Sequence, residues 1–257
     1  MAVGYLTEQN INIARGLIRG ASIVHKFGRN PNVGGAPETI WMHGGTYTYL
    51  TSASTVYVSG ADAEDSAAGT GARTVTVQGL DASYHAIEET LTVDGAVSTK
   101  SFLRVYRAFV ASAGSLQTNK GDVLVSTGAS GGGTVLADIG IIGTGTTFGL
   151  GQTQLALYII PAGKTGYLCN WNVGIGAYNN SATATLYTRE TDNDLIFRTR
   201  DIMDIPGGLH QRTYTVPFTI PEKTDIEIRA IANTGTTVSS AFDIILYDTP
   251  RTMYVGS

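Results

Sequence analysis

Cysteine is nearly absent. Cys169 stands alone among 257 residues, so no disulfide can form within the chain and nothing ties it to an oxidising compartment. Charge is thin as well: Asp, Glu, Lys and Arg make up 15% of the sequence, against roughly a quarter in an ordinary soluble domain. The net charge is −4 with no basic block, which argues against sequence-independent nucleic-acid binding, a task that sets many cations against phosphates. No apolar run reaches the length of a membrane span. The opening MAVGYLTEQN has no charged region leading into an apolar one, so it does not read as a signal peptide. With only 7 prolines, the 32 glycines mark turns rather than a collagen-like or proline-rich segment.

What fills the chain instead is Thr, Ser, Asn, Gly and Tyr, the last numbering 13. A thinly charged chain of this kind suits a protein that buries outer surface in an assembly. The plainer alternative is a monomer with a neutral surface.

Residues 7–19 form the one credible helix, with Thr7 placed to cap it and Ile11, Ala14, Leu17 and Ile18 at helical spacing. Gly16 weakens the segment and Gly20 is placed to end it. Such a stripe suits docking, either on a neighbouring subunit or on its own domain. Everything after it reads as short strands broken by Gly, Asp, Ser and Asn, which points to sandwiches rather than βαβ units. Strands are expected at 22–27, 46–50, 55–59, 73–78, 85–93, 102–113 and 122–126. Six more follow at 167–175, 182–188, 195–200, 211–220, 225–232 and 242–247, and 155–160 runs into a Pro161–Gly163 turn. The fold class is all-β: residues 1–45 as an N-terminal arm and extended segment, 46–143 as a first β domain, and 152–250 as a second, of sandwich or jelly-roll type. GTGTTFGLG (143–151) reads as the linker.

Within these strands the patterns differ. Ile226, Ile228 and Ala230 alternate with Glu227 and Arg229, the mark of a half-buried strand. Val56-Tyr57-Val58, Val123-Leu124-Val125 and Ile244-Ile245-Leu246 run apolar, as strands covered on both faces do. Pro217 inside its run marks an edge or a bulge.

No residue set calls for a catalytic, cofactor or metal role. Cys169, beside Tyr167, Leu168 and Trp171, reads as a buried thiol with nothing local to lower its pKa. His25 and His43 have no second ligand at usable spacing. The glycine-rich 28–35 loop lacks the strand-to-helix context and the Lys-Ser/Thr ending of a phosphate loop. Asp62, Glu64 and Asp65 could hold Ca²⁺ but lack EF-hand spacing, so a solvated acidic loop is the simpler reading; Asp192-Asn193-Asp194 reads as a polar hairpin tip for the same reason. Asn179-Asn180-Ser181 matches a glycosylation pattern without a secretion signal to give it meaning. His210 has no Ser or Asp arrangement near it. Glu88 and Glu89, adjacent in a strand, point to opposite faces and cannot act as an acid–base pair.

The segment GTGARTVTVQGLDASYHAIEETLTVDG (69–95) organises the first half. Ile87, Leu91 and Val93 share one face of its second arm and Glu88, Thr90 and Thr92 the other. Asp94-Gly95 is a hairpin signal leading to a third strand, so a meander is expected. With the following SFLRVYRAFVASAG and the upstream VHKFGRNPNV and ETIWMHGGTYTYL, this string resembles a segment of structural proteins from tailed-phage virions, particularly of marine and cyanobacterial phages. The resemblance spans about residues 18–125 and carries no catalytic residue. It implies a virion component located on the capsid as decoration or cement, at the neck, or in the tail. Its partners would be other virion proteins and further copies of itself, with no membrane and no nucleic acid. A receptor- or glycan-binding module using Tyr and Trp as stacking surfaces is the alternative. A glycan-cleaving enzyme would need two carboxylates about 5–10 Å apart in a groove, and no such pair is singled out.

Overall fold

The computed structural model describes residues 2–143, 148–177, 179–191 and 195–249. In chain order the elements are α1 (Ala2–Ala14), β1 (Ala21–Val33), β2 (Glu38–Thr39), β3 (Tyr57–Gly60), β4 (Ala72–Leu80), β5 (Ala86–Thr92) and β6 (Arg104–Ala113). They continue with β7 (Val123–Ser126), β8 (Val135–Ile139), β9 (Ile141–Ile142), β10 (Phe148–Gly149), β11 (Leu157–Ile159) and β12 (Lys164–Ile175). The last five are β13 (Ala182–Glu190), β14 (Phe197–Ile205), β15 (Leu209–Ile220), β16 (Thr224–Ala232) and β17 (Thr236–Asp248).

Two antiparallel sheets enclose one core. The first has the order β1-β17-β12-β15; the second has β11-β16-β13-β14, with β2 pairing β16 beyond the end of β11. Lettered B to I along the chain, with β2 and β11 as two halves of C, the sheets read B-I-D-G and C-H-E-F. That is the strand order of a jelly roll. The chain therefore forms the all-β sandwich expected of it. The strand expected at 22–27 forms and runs on through most of the expected 28–35 loop: β1 spans Ala21–Val33 and pairs with β17 from Ala21↔Tyr247 onward.

Strand C is interrupted. Ile40 donates its N–H to the Ile228 carbonyl (3.0 Å), Ala156 donates to the Ile40 carbonyl (2.9 Å), and Ile228 donates to the Ala156 carbonyl (3.2 Å). Both ends of the break thus meet on β16, and Trp41 bridges Leu155 just beyond. Everything between, β3 to β10, is an excursion from this point. It builds two three-stranded sheets, β3-β7-β8 and β5-β4-β6, around a second core that includes Val58, Val75, Leu80, Phe102, Val125 and Ile139. Residues 155–160 are buried on both faces because they wall off the two cores. Leu155, Leu157 and Ile159 enter the second core while Ala156, Tyr158 and Ile160 enter the jelly roll, the period-2 alternation of a strand used on both sides.

Several local expectations change. The order β5-β4-β6 shows that β6 returns to the far edge of β4, so the segment is not a meander. Asp94 and Gly95 do turn the chain, but Asp94 spends its N–H on the Val58 carbonyl (2.9 Å), tying the turn to the other sheet. The hairpin before them is as read: Val75 pairs Leu91, Ile87 and Leu91 face inward, and Thr76–Thr90 and Gln78–Glu88 join across the outer face at 2.8 and 3.0 Å. The runs expected to be covered on both faces are covered on one; Tyr57, Leu124 and Ile245 are only half-buried. No strand forms at 46–50, and β8 arises where none was expected.

The helix starts and ends earlier than its spacing suggests. Gly16 at φ +72° stops it, where a left-handed residue costs only glycine nothing. Among the described side chains of residues 8–17, Ile13 is buried while Ile11 and Leu17 are exposed, and past Ala14 the chain leaves the helical period, which takes Leu17 off any helical stripe. Gln9 donates to the Tyr247 hydroxyl at 3.2 Å, placing the helix on the outer face of its own jelly roll.

Gly28 sits where β1 crosses the break in strand C. A Cβ there would lie 2.2 Å from the Ile40 carbonyl oxygen and 2.3 Å from the Ala156 nitrogen, both backbone atoms that cannot yield. Gly28→Ala is expected to cost about 3 kcal/mol or more, the range of severe overpacking. Gly35→Ala, with open space and no left-handed φ, should change stability by less than about 0.5 kcal/mol. Urea denaturation of both variants checks the contrast.

Candidate functional site, a buried ionic junction and two open edges

The alternation in β16 is stronger than a half-buried strand requires. Ile226, Ile228 and Ala230 point into the jelly roll, as read from the sequence. The opposite face is not solvated, however: Asp225 is 1% exposed and Glu227 0%. The inserted domain covers them and brings one counter-charge, Arg104, while Arg189 and Arg229 come from the jelly roll itself. Arg104, at the start of β6 and 2% exposed, grips Asp225 with Nε to Oδ1 at 2.8 Å and Nη2 to Oδ2 at 3.1 Å. Its Nη1 donates to the carbonyls of Leu50 (2.8 Å) and Leu103 (2.9 Å). Arg189 of β13 adds Nη2 to Asp225 Oδ2 at 2.7 Å and lies 3.8 Å from the Tyr49 ring centre. Glu227 takes a fork from Arg229 (2.8 and 2.9 Å) and hydroxyls from Thr39 (2.5 Å) and Tyr49 (2.9 Å).

Burial opposes the Arg104 charge, but the hydrogen bonds and charge of Asp225 outweigh it and hold the guanidinium above its ordinary value. Burial, then Glu227, pushes the Tyr49 phenol well up, so it stays a donor. Because every oxygen of the two carboxylates is engaged, the cluster is a junction rather than a reactive centre. The sequence displays Arg104 and Asp225 as ordinary charges 121 positions apart, and no local signal pairs them.

The residues singled out by sequence scatter. His25 is paired with Asp243, and His210 faces the Gly207 carbonyl at 3.2 Å. Cys169 is the extra residue of a bulge, since Leu168 and Asn170 oppose the consecutive Ile244 and Asp243; it is half-buried, and burial raises its thiol pKa. Asp65 is not in a solvated loop. It is fully buried and accepts the N–H groups of Ala72 (2.7 Å), Lys120 (2.9 Å) and Gly121 (2.7 Å), which leaves no lone pair facing a cation. Glu88 and Glu89 diverge, the first to Gln78 and the second to Thr99 and Lys100. Asp192-Asn193-Asp194 lies outside the described residues. Both tryptophans are buried, Trp41 at 3% and Trp171 at 0% exposure, so neither is a stacking surface. His43 lies 3.5 Å from Asp138, whose Oδ1 has no partner among the described residues. Among those residues no cluster of three or more His, Cys, Asp or Glu could hold a metal ion.

β14 and β15 are edge strands, each last in the order of its jelly-roll sheet. On them Ile202 is 49% exposed, Leu209 71% and Val216 81%. Between Leu168↔Phe218 and Asn170↔Thr213 the edge strand β15 carries extra residues, including Pro217, so it is both the edge and the bulge expected there.

No protein-family model matches the chain, and no curated protein is similar to it. Among known structures it is distantly similar to the infectious bursal disease virus Gx strain, at 10% identity and TM-score 0.23, covering 91% of this chain and 77% of that one. The Gt strain of that virus is similar at 9% identity and TM-score 0.21, over 89% and 72% of the two chains. Its VP2 subviral particle follows at 8% and 0.18, over 90% and 77%. Likeness at these scores carries no argument about role, and the jelly-roll topology stands on the strand pairing above.

Two outcomes follow from the charges. Asp225→Ala leaves Arg104 and Arg189 buried without a counter-ion and should cost about 3–5 kcal/mol in chemical denaturation. Asp248→Ala, removing an exposed pair with Lys164, should cost less than about 1 kcal/mol.

Lys26 behaves oppositely. Burial and then the Arg107 charge lower its pKa to about 7. The unfolded chain therefore holds a proton that the folded one releases between about pH 7 and 10.5, so stability rises with pH across that window. The groups around it are Arg107 and Tyr106 on β6, Tyr158 on β11, and His25 on its own strand, the last held by Asp243. The stability gained by Lys26→Met should be largest below pH 7 and shrink towards pH 10, as measured by urea melts at pH 6 and 9.5.

Proposed function

We propose that this chain is a non-enzymatic structural protein of a virion, working by shape. The observation that carries the reading is a jelly roll whose edge strands β14 and β15 present Ile202, Leu209 and Val216 to solvent. Exposed apolar side chains on a sheet edge suit burial against a neighbour. The bulge with Pro217 in β15 blunts open-ended strand addition, so the edge favours a defined contact over a fibre. Jelly rolls serve capsids, lectins and other roles, and fold alone does not choose among them. The resemblance over residues 18–125 to tailed-phage structural proteins tips the choice to a virion, as a capsid decoration or cement protein or a neck or tail component. Its partners on this reading are other virion proteins and further copies of itself. The glycan-binding alternative loses its tryptophan platforms to the two cores.

Gold-labelled antibody on intact particles, followed by image reconstruction, should find many ordered copies; particles free of the protein would overturn the reading. In the purified chain, Leu209→Lys with Val216→Lys should weaken self-association at least tenfold by sedimentation while leaving the thermal midpoint unchanged, because both positions are exposed.

A further inference from the structure

Between β1 and the inserted domain lies a cleft of about 400 Å³, lined by Lys26, Gln78, Arg107, Gln152, Thr153 and Tyr158 among others. Lys26 is 8% exposed, and its ammonium donates to one acceptor, the Tyr106 carbonyl. An ammonium carries three donors. Among the described residues no carboxylate lies within 4.0 Å of it, and the one charge that bears on it is Arg107, of the same sign. The carboxylates at the margins are committed elsewhere: Asp243 to His25 and Asn170, and Glu88 to Gln78. Arg107 is exposed at the mouth and engages Gln152 Oε1 at 3.1 Å.

A buried cation without a counter-ion destabilises a fold, and an apolar side chain of the same length would pack better. The arrangement makes sense if the counter-ion arrives from outside. A deep ammonium and a guanidinium at the rim, with amide and hydroxyl groups between, match the needs of a group carrying several oxygens and negative charge. We infer that the Lys26–Arg107 cleft binds an oxyanion, a phosphate or a carboxylate carried on a small polar molecule. The volume exceeds what one phosphate fills, leaving room for a unit of monosaccharide size.

The test is calorimetric titration of the full chain at pH 6.5, with inorganic phosphate in one arm and glucuronate in the other. Sodium chloride at equal ionic strength is the control. Saturable binding is expected in at least one arm, which also separates the two oxyanion classes. Lys26→Met should weaken it at least tenfold. Arg107→Gln, a surface change that leaves the fold intact, should weaken it several-fold and keeps the test decisive should Lys26→Met fold poorly. No binding above the chloride control in either arm, or unchanged affinity in Arg107→Gln, overturns the site.

Discussion

The outward face of β16 sets the terms for the rest of the molecule. A strand that presents Asp225, Glu227 and Arg229 on one side and Ile226, Ile228 and Ala230 on the other can lie at a solvated surface without cost. Here it does not. The inserted domain settles on the charged side and seals it, which is tolerable only because Arg104 and Arg189 fork onto Asp225 while Thr39, Tyr49 and Arg229 satisfy Glu227. A junction of this kind adds little net stability over an apolar one, but its geometry admits one seating. Sliding the two domains by a single residue would break the Arg104–Asp225 fork and the Tyr49–Glu227 bond, leaving Arg104 buried without its counter-ion. Orientation is what the junction supplies, and orientation is what a structural subunit has to deliver.

The break in strand C explains why the seating is reached. β2 and β11 meet at Ile40 and Ala156 against Ile228, so the inserted domain leaves and returns through one narrow neck. Gly28 lets β1 pass directly over that neck. On the far side, residues 155–160 serve both cores with alternate side chains, so the cores share a wall; residues 144–147 of the expected 143–151 linker lie outside the described residues. β1 and β2 thus pair with β17 and β16, strands from the last part of the chain.

Much of this was legible in the residues. The β strands, the turn chemistry and the inward face of Ile87, Leu91 and Val93 follow from period-2 alternation, which acts locally. Pro217 marked its edge because proline cannot donate to a ladder. What escaped depends on distant partners. Asp225 and Glu227 look like any solvent-facing pair until Arg104 is placed beside them, and nothing short-range does that. The meander failed because β6 chooses the far side of β4, a decision made by the core and not by the Asp94-Gly95 turn. Asp65 looked like part of a solvated acidic loop because the backbone N–H groups that enclose it come from Ala72, Lys120 and Gly121. The candidate functional surfaces, a sheet edge and a cleft between domains, are products of topology and carry no motif.

A double-mutant cycle across Arg104 and Asp225 tests the junction most directly, using Arg104→Met and Asp225→Leu with stability read by urea denaturation. If the ionic contact holds the two domains in register, the coupling energy will exceed about 2 kcal/mol, the double variant costing less than the two single variants summed. A coupling below about 0.5 kcal/mol, the level of an exposed ion pair, would contradict the account.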